Sequence, residues 1–443
     1  MDSTNPYIGI TQSSANKTPT LVCEQATLPE ALPKPPIRHD KSKPRMANRK
    51  VLIIVENQSV PADPRVWKEA LSLHENGWEV TVLCPRSEEW SEGYEMLEGI
   101  RIYRHPMPGE WNSAGGYLWE YSCALFWEFV YACRIYLRHG FHVIEGCNPP
   151  DDIFLIALPF KLLGVKYVFD HHDAAPELFL SKYNKKGFFY KILLFLEKQS
   201  YRFSEVVMAT NDSYRNLALT RGHRSLNDVF VVRNGPDLEK FRAVPPNPAR
   251  KHGKPHLIGY VGNMGSQDGL DILLEVARHI KNSGRRDIHF TCVGGGPELA
   301  KLRKMTESMN LSDMVNFTGR ISDAELLEIL STADVCVNPD RPCQMNDIST
   351  MIKIMEYMAL AKPIVQFDSK EGRFSAQGAS LYVEKEDPVN DFASKLLWLL
   401  DRPNERRKMG KLGRERVENA LAWEYSVPPL LAAYQKAFGR DKS

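Results

Sequence analysis

The chain has 443 residues, enough for two domains of ordinary size, and 43% apolar with 25% charged residues is the balance of a soluble globular protein. A net charge of +2 excludes a binder that relies on a strongly basic surface, so no nucleic-acid partner is expected. Eight scattered cysteines with no CxxC pair exclude a zinc-like grouping, and reduced thiols, no metal and a cytoplasmic location are expected.

Residues 1–48 carry seven prolines, much Ser, Thr and Lys, and no apolar periodicity, the composition of a disordered tail without a secretory signal. Order is expected from Lys50, where the apolar run 51–55 begins. A helix over 65–76 places Val66, Ala70 and Leu73 on one face and stops at Gly77. Strand-like runs follow at 80–83, 100–103, 142–145, 165–169, 205–210 and 229–232. The apolar stretch 117–137 contains Glu120, Glu128 and Arg134. Each charge would cost about 2.5–3.5 kcal/mol at mid-bilayer, so a buried or interfacial helix is expected rather than a span.

The segment 182–202 interleaves Lys182, Lys185, Lys186, Lys191, Lys198 and Arg202 with aromatic and aliphatic residues. It reads either as a half-buried helix with a solvated basic face or as a helix lying on an anionic membrane. Around 243–255 a Pro-rich, basic stretch reads as an interdomain linker. Strands then recur at 256–261, 288–293, 314–317, 335–338 and 363–367, separated by helices at 269–283, 297–309, 322–331 and 351–361. Short apolar strands alternating with helices predict an α/β protein of two tandem Rossmann-like, doubly wound parallel sheets. The expected boundaries are 49–245, 246–420 and a terminal helical segment, 421–443.

Ligands of such sheets bind beyond the carboxyl ends of the strands. There, Gly294-Gly295-Gly296-Pro297 joins a strand to a helix, which suits either a tight turn or close approach of an anion. Thr318-Gly319-Arg320 ends another strand, and Ser322 with Glu325 forms a capping-box pattern. Ser349-Thr350-Met351 precedes a helix on which Lys353 and Glu356 are neighbours, which a surface ion pair would also explain. His172 and Asp173 end a strand of the first domain, as a structural pair or as a site.

Taken in order, Asp63-Pro64-Arg65-Val66, Asp170-His171-His172-Asp173, Asn234-Gly235-Pro236-Asp237, Val261-Gly262, Gly294 to Pro297, Phe317-Thr318-Gly319, Glu356-Tyr357-Met358-Ala359 and Lys362-Pro363 resemble glycosyltransferase family 4, the large retaining group with the GT-B fold. The resemblance runs from Lys50 to Phe438, and Trp423 to Tyr434 looks like the terminal helix that crosses back onto the first domain. It implies a UDP- or GDP-sugar co-substrate without a further cofactor, and a glycan or lipid-linked acceptor. Glu356 would hold the ribose hydroxyls, and Lys353 with the backbone at Ser349 and Thr350 the leaving diphosphate. Thr318 to Ile321, including Gly319 and Arg320, would meet the base. Gly262, Asn263, Gly295, Gly296 and Asp347 complete the expected donor side. His172, oriented by Asp173, would meet donor sugar or acceptor, with Asn57, Pro64 and Arg65 on the acceptor side.

Three departures stand out. Where the family commonly has a glutamate eight positions before the ribose-binding one, this chain has Ile348, with Asp347 one residue off. A basic pair usual at the diphosphate aligns with Asn263 and Asp268, shifting charge neutralisation toward Lys353 and Arg373. The loop after the first strand lacks the usual glycines and reads Asn57-Gln58-Ser59-Val60-Pro61. A sugar-nucleotide 2-epimerase and a non-catalytic sugar-nucleotide-binding subunit are the alternative readings. A peripheral position on the inner face of the cytoplasmic membrane is left open.

Overall fold

A computed structural model describes residues 49–107, 114–384 and 386–439, except for the side chains of 114–120. The tail expected over 1–48 lies outside the described residues.

The strands of the described residues form two sheets. The first comprises β1 (Lys50–Val55), β2 (Glu79–Pro85), β3 (Tyr94–Leu97), β4 (Ile100–His105), β5 (Val143–Cys147), β6 (Lys166–His171), β7 (Val206–Ala209) and β8 (Val229–Val231). Its order is β3-β4-β2-β1-β5-β6-β7-β8, parallel throughout except that β3 runs antiparallel to β4 at the edge. The second comprises β9 (His256–Val261), β10 (Ile288–Val293), β11 (Val315–Gly319), β12 (Val335–Asn338), β13 (Ile364–Phe367) and β14 (Ser380–Val383), ordered β11-β10-β9-β12-β13-β14 and wholly parallel. Helices cover both faces of each sheet, so central strands such as Leu52, Ile53 and Ile54 are apolar on both sides and fully buried. The two doubly wound domains are those expected from the alternation of apolar runs.

Two strands escape the periodicity. β3 sits at an edge with Tyr94 and Met96 exposed, and β14 is only four residues long. The stretch 243–255 is also no loose linker. Its 3-10 turn Pro248–Lys251 is strapped to helix Asp323–Thr332, with Val244 N donating to Ser331 Oγ (3.1 Å), Asn247 N to Thr332 Oγ1 (2.9 Å) and Asn247 Nδ2 to Glu328 (2.8 Å).

The chain then returns to its first domain. After helix Pro403–Arg416, a π-helical turn at Val417–Leu421 and a 3-10 turn at Trp423–Tyr425 redirect it. Trp423 donates through its backbone N to Pro236 O (3.1 Å) and through Nε1 to Ser72 Oγ (2.9 Å). A Cβ on Gly235 would collide with the Leu421 carbonyl, which accounts for glycine at that crossing. The final helix, Val427–Gly439, buries Leu430, Ala433, Tyr434 and Ala437 in the first domain's core beside Trp78 and Val232.

Candidate active site between two sheets

On the first domain, β6 runs out into Asp170–Asp173. Asn148, just past β5, shapes this turn: its Oδ1 accepts from His172 N (2.8 Å) and Asp173 N (3.0 Å), and its Nδ2 donates to Asp173 O (2.6 Å). His172 Nδ1 donates to Asp170 Oδ2 at 2.9 Å, leaving Nε2 for a substrate. Asp170, rather than the expected Asp173, therefore orients the ring.

Arg65 grips the same carboxylate through Nε (2.8 Å) and Nη2 (2.6 Å), and also reaches Glu69 (3.0 Å) and Val232 O (2.9 Å). At 3% exposure Arg65 is not on the acceptor side where the resemblance put it; it is a buried brace behind the histidine. Burial works against the Asp170 charge, but Arg65 and His172 outweigh it and hold the carboxyl well below the usual range. For His172 burial likewise opposes charge, and the Asp170 hydrogen bond with the Asp170 and Asp173 charges raises the imidazole above its ordinary value. Burial pushes the Asp173 carboxyl up. Asn57 lies exposed in the loop after β1, and Pro64 is exposed at the start of helix Pro64–Glu75, which Asp63 caps.

On the second domain, the turns after β9, β10 and β11 stack on one another. Gly262 N donates to Val293 O (3.1 Å), Met264 N to Gly295 O (2.9 Å) and Gly294 N to Gly319 O (3.0 Å). Gly294 and Gly296 have φ of 127° and 151°, and a Cβ there would strike the Gly262 carbonyl or the Asn263 side chain and Met264 backbone. These two glycines serve loop-to-loop packing. A Cβ on Gly295 would meet only the Arg320 side chain, at 3.7 Å, and Asn263 and Arg320 are exposed beside it.

Helix Ile352–Ala359 carries Lys353 and Glu356. Lys353 Nζ lies 2.7 Å from Asp340 Oδ1, 4.0 Å from Asp268 and over the Tyr260 ring, so its charge is already matched. Glu356 is different: half-buried, it has no hydrogen-bond or ion-pair partner among the described residues. Burial pushes its carboxyl up to about 7, against the pull of Lys68, Lys240 and Lys353. Lys68 comes from the first domain, where it donates to Asn234 Oδ1 and Gly235 O, both at 2.7 Å, and burial lowers it to about 8. Arg373 forms an exposed pair with Asp368 at 2.5 Å. Asp347 is exposed and accepts from Lys370 N (2.9 Å). A cavity of about 370 Å³ opens where β12 and β13 end, lined by Asn338, Asp340, Asp347, Met351 and Asp368 among others, and touches neither Glu356 nor His172.

The domains meet at the loop before that helix. Asn211 Nδ2 donates to Ile348 O (2.8 Å) and Thr350 Oγ1 (3.0 Å), and the Tyr214 hydroxyl bonds Ser349 Oγ (3.0 Å). Ser213 donates to Glu371 at 2.7 Å. Ile348 packs against the first domain's core, which gives an apolar side chain a reason to stand at that position. Asn148, Asn211, Tyr214 and Lys68 were not singled out from sequence. Each acts on a residue far along the chain, and only Asn211, an N-cap residue, carries a local signal.

Two facing Rossmann-like domains with a returning terminal helix define a GT-B architecture. Residues 255–402 match the family described as "Glycosyl transferases group 1", and residues 62–235 match the "Glycosyl transferase 4-like domain". The chain belongs to these group 1, family 4-like glycosyltransferases. It is 28% identical over 210 residues to the GDP-mannose-dependent alpha-mannosyltransferase of Corynebacterium glutamicum, covering 44% of this chain and 47% of that one. The fold is similar to sucrose-phosphate synthase from Thermosynechococcus elongatus (TM-score 0.72, 18% identity, 89% and 100% of the two chains). It is also similar to Anabaena HepE solved with UDP-glucose (TM-score 0.66, 13% identity, 87% and 98%). The chain spans between a third and just over half the length of the curated relatives it matches.

Proposed function

We propose that this protein moves a hexosyl or N-acetylhexosaminyl unit from a UDP- or GDP-sugar to a glycan or lipid-linked acceptor, with retention, in polysaccharide or glycoconjugate biosynthesis. The observation that carries the proposal is Glu356, a half-buried carboxylate with no hydrogen-bond or ion-pair partner among the described residues, which feels the positive charge of the first domain's Lys68. A carboxylate accepts two hydrogen bonds and suits the vicinal hydroxyls of a ribose. The GDP-mannose dependence named for the Corynebacterium relative and the UDP-glucose bound to HepE support a donor of this class.

In the proposed reaction, Glu356 holds the ribose, and the backbone at Ser349 and Thr350 with Lys353 receives the diphosphate. Gly295, Gly319 and Arg320 border the base. His172 Nε2 hydrogen-bonds the donor sugar or acceptor, its ring fixed by Asp170. The bond between the anomeric carbon and the phosphate oxygen breaks, and that oxygen takes the proton of the attacking acceptor hydroxyl on the same face. The proposed setting is the cytoplasm, peripheral to the inner face of the cytoplasmic membrane.

Calorimetric titration of UDP- and GDP-sugars into the parent and Glu356→Ala, with products analysed in parallel, tests the reading. Hydrogen bonds to a charged group contribute roughly 1.5–3 kcal/mol, so affinity should weaken about tenfold to a hundredfold, with nucleoside diphosphate and glycosylated product released by the parent. An isomerised sugar nucleotide, or tight binding with no turnover, would overturn the transferase assignment.

A further inference from the structure

Eighteen large hydrophobic side chains stand exposed among the described residues, and thirteen of them lie between Tyr121 and Phe195. They concentrate on three helices that cover one face of the first sheet: Ala114–His139, Phe154–Lys161 and Phe188–Phe203. On the first of these, Phe126, Phe129, Val130 and Leu137 fall on one outward stripe, while Ala132 and Ile135 point into the core. Leu162 follows the second helix and Phe188 opens the third; they are 89% and 74% exposed. The helices adjoin, with Phe129 6.3 Å from Phe160 and Phe154 stacked on Phe203 at 5.6 Å, so the surface is continuous. Apolar patches of this extent on a monomer mark an interaction site.

Among the described side chains, the exposed charge around it has one sign. Arg134, Arg138, Lys185, Lys186, Lys191 and Lys198 are exposed here, whereas no Asp or Glu from 121 to 203 is fully exposed. Glu197, the sole acid in the third helix, is buried against Arg221 at 2.9 Å. Two copies of this face would bring like charges together, which disfavours self-association through it. No helix among the described residues is long and apolar enough to cross a membrane.

The geometry points to this three-helix face as a docking surface for a bilayer carrying anionic lipid, with its aromatic and leucine side chains entering the interface and its lysines meeting the headgroups. The docking stands independently of the transferase reading; what rests on that reading is its use. Helix Ala175–Tyr183 starts two residues after Asp173 and ends at the basic segment, so a lipid-linked acceptor would lie about 14 Å of helix from the site.

The test is co-sedimentation of the full chain with phosphatidylglycerol–phosphatidylcholine vesicles and with phosphatidylcholine vesicles at low salt. Strong binding to the anionic vesicles is expected. Changing Lys185, Lys186 and Lys191 together to Gln should weaken it about a hundredfold, at about fivefold per basic residue. Changing Phe126, Leu137 and Phe188 together to Ser should abolish it with every charge retained. Calorimetric nucleotide-sugar binding should be unchanged in both variants, so failure of docking and failure of the donor site are read separately. No sedimentation, equal sedimentation with both vesicle types, or an effect absent from both variants would overturn the proposal. A dimer that the Ser variant converts to monomer would overturn it too.

Discussion

At Lys353 the charge that a departing diphosphate would meet is already held by Asp340, a nearly buried carboxylate 2.7 Å away. Removing one member of such a pair strands the other, a loss of up to roughly 3–5 kcal/mol. Lys353→Ala should therefore unfold at clearly lower urea, and adding Asp340→Asn should recover most of that stability without restoring turnover. Equal stability of the single variant and the parent would mean that Asp340 does not depend on the lysine. Glu356 gives the complementary prediction. With its carboxyl raised to about 7, ribose binding that needs the ionised form should weaken as pH falls. A nucleotide sugar, whose esterified diphosphate does not titrate in this range, should lose about fivefold in affinity between pH 7 and 6 in calorimetry. Glu356→Gln should show no such dependence. That Lys353 and Glu356 share one short helix after a strand end was legible in sequence from their spacing. Asp170's hold on His172 was half legible: the residues are two apart, but the brace that fixes Asp170 is Arg65, 105 positions earlier.

Between elements, the loop Ser349–Met351 is tied to the first domain by the start of helix Asp212–Thr220, whose N-cap Asn211 bonds Ile348 and Thr350 as well as its own backbone. Tyr214→Phe removes the hydroxyl that meets Ser349 Oγ across the domains and accepts from Ala174 N (3.3 Å) within its own, each hydrogen bond worth roughly 0.5–1.5 kcal/mol. The closed arrangement of the two sheets should then be less populated, seen in small-angle scattering as a larger radius of gyration without donor. An unchanged radius would assign closure to Ile348 and to the Ser213–Glu371 bond instead. Most elements could be read from apolar periodicity because the parallel strands are buried on both faces. β3 could not, since an edge strand with two exposed large side chains presents no continuous apolar run. The strap at 243–255 looked like a linker because its order comes from side chains of helix Asp323–Thr332, about 80 residues further on.

Over the whole molecule, the helix Val427–Gly439 belongs to the first domain by packing although it follows the second in sequence. A chain ending at Ser426 would lose Leu430 and Tyr434 from that core, at roughly 1.5–3 kcal/mol for each large apolar side chain, and leave Glu145 without the Tyr434 hydroxyl. Such a truncation should melt at a lower temperature in a transition confined to the first domain, while thermal protection by nucleotide sugar, which reports the second, persists in part. A single unaltered transition would show the returning helix to be dispensable. The same arrangement orders events during synthesis. The last strand of the first sheet is complete at residue 231, yet the side chains that close its core arrive some 200 residues later. At about 5–20 residues per second, the nascent first domain waits roughly 10–40 s with Trp78 uncovered, and the second domain can finish before it. The ribosome thus delivers the half made first as the half completed last.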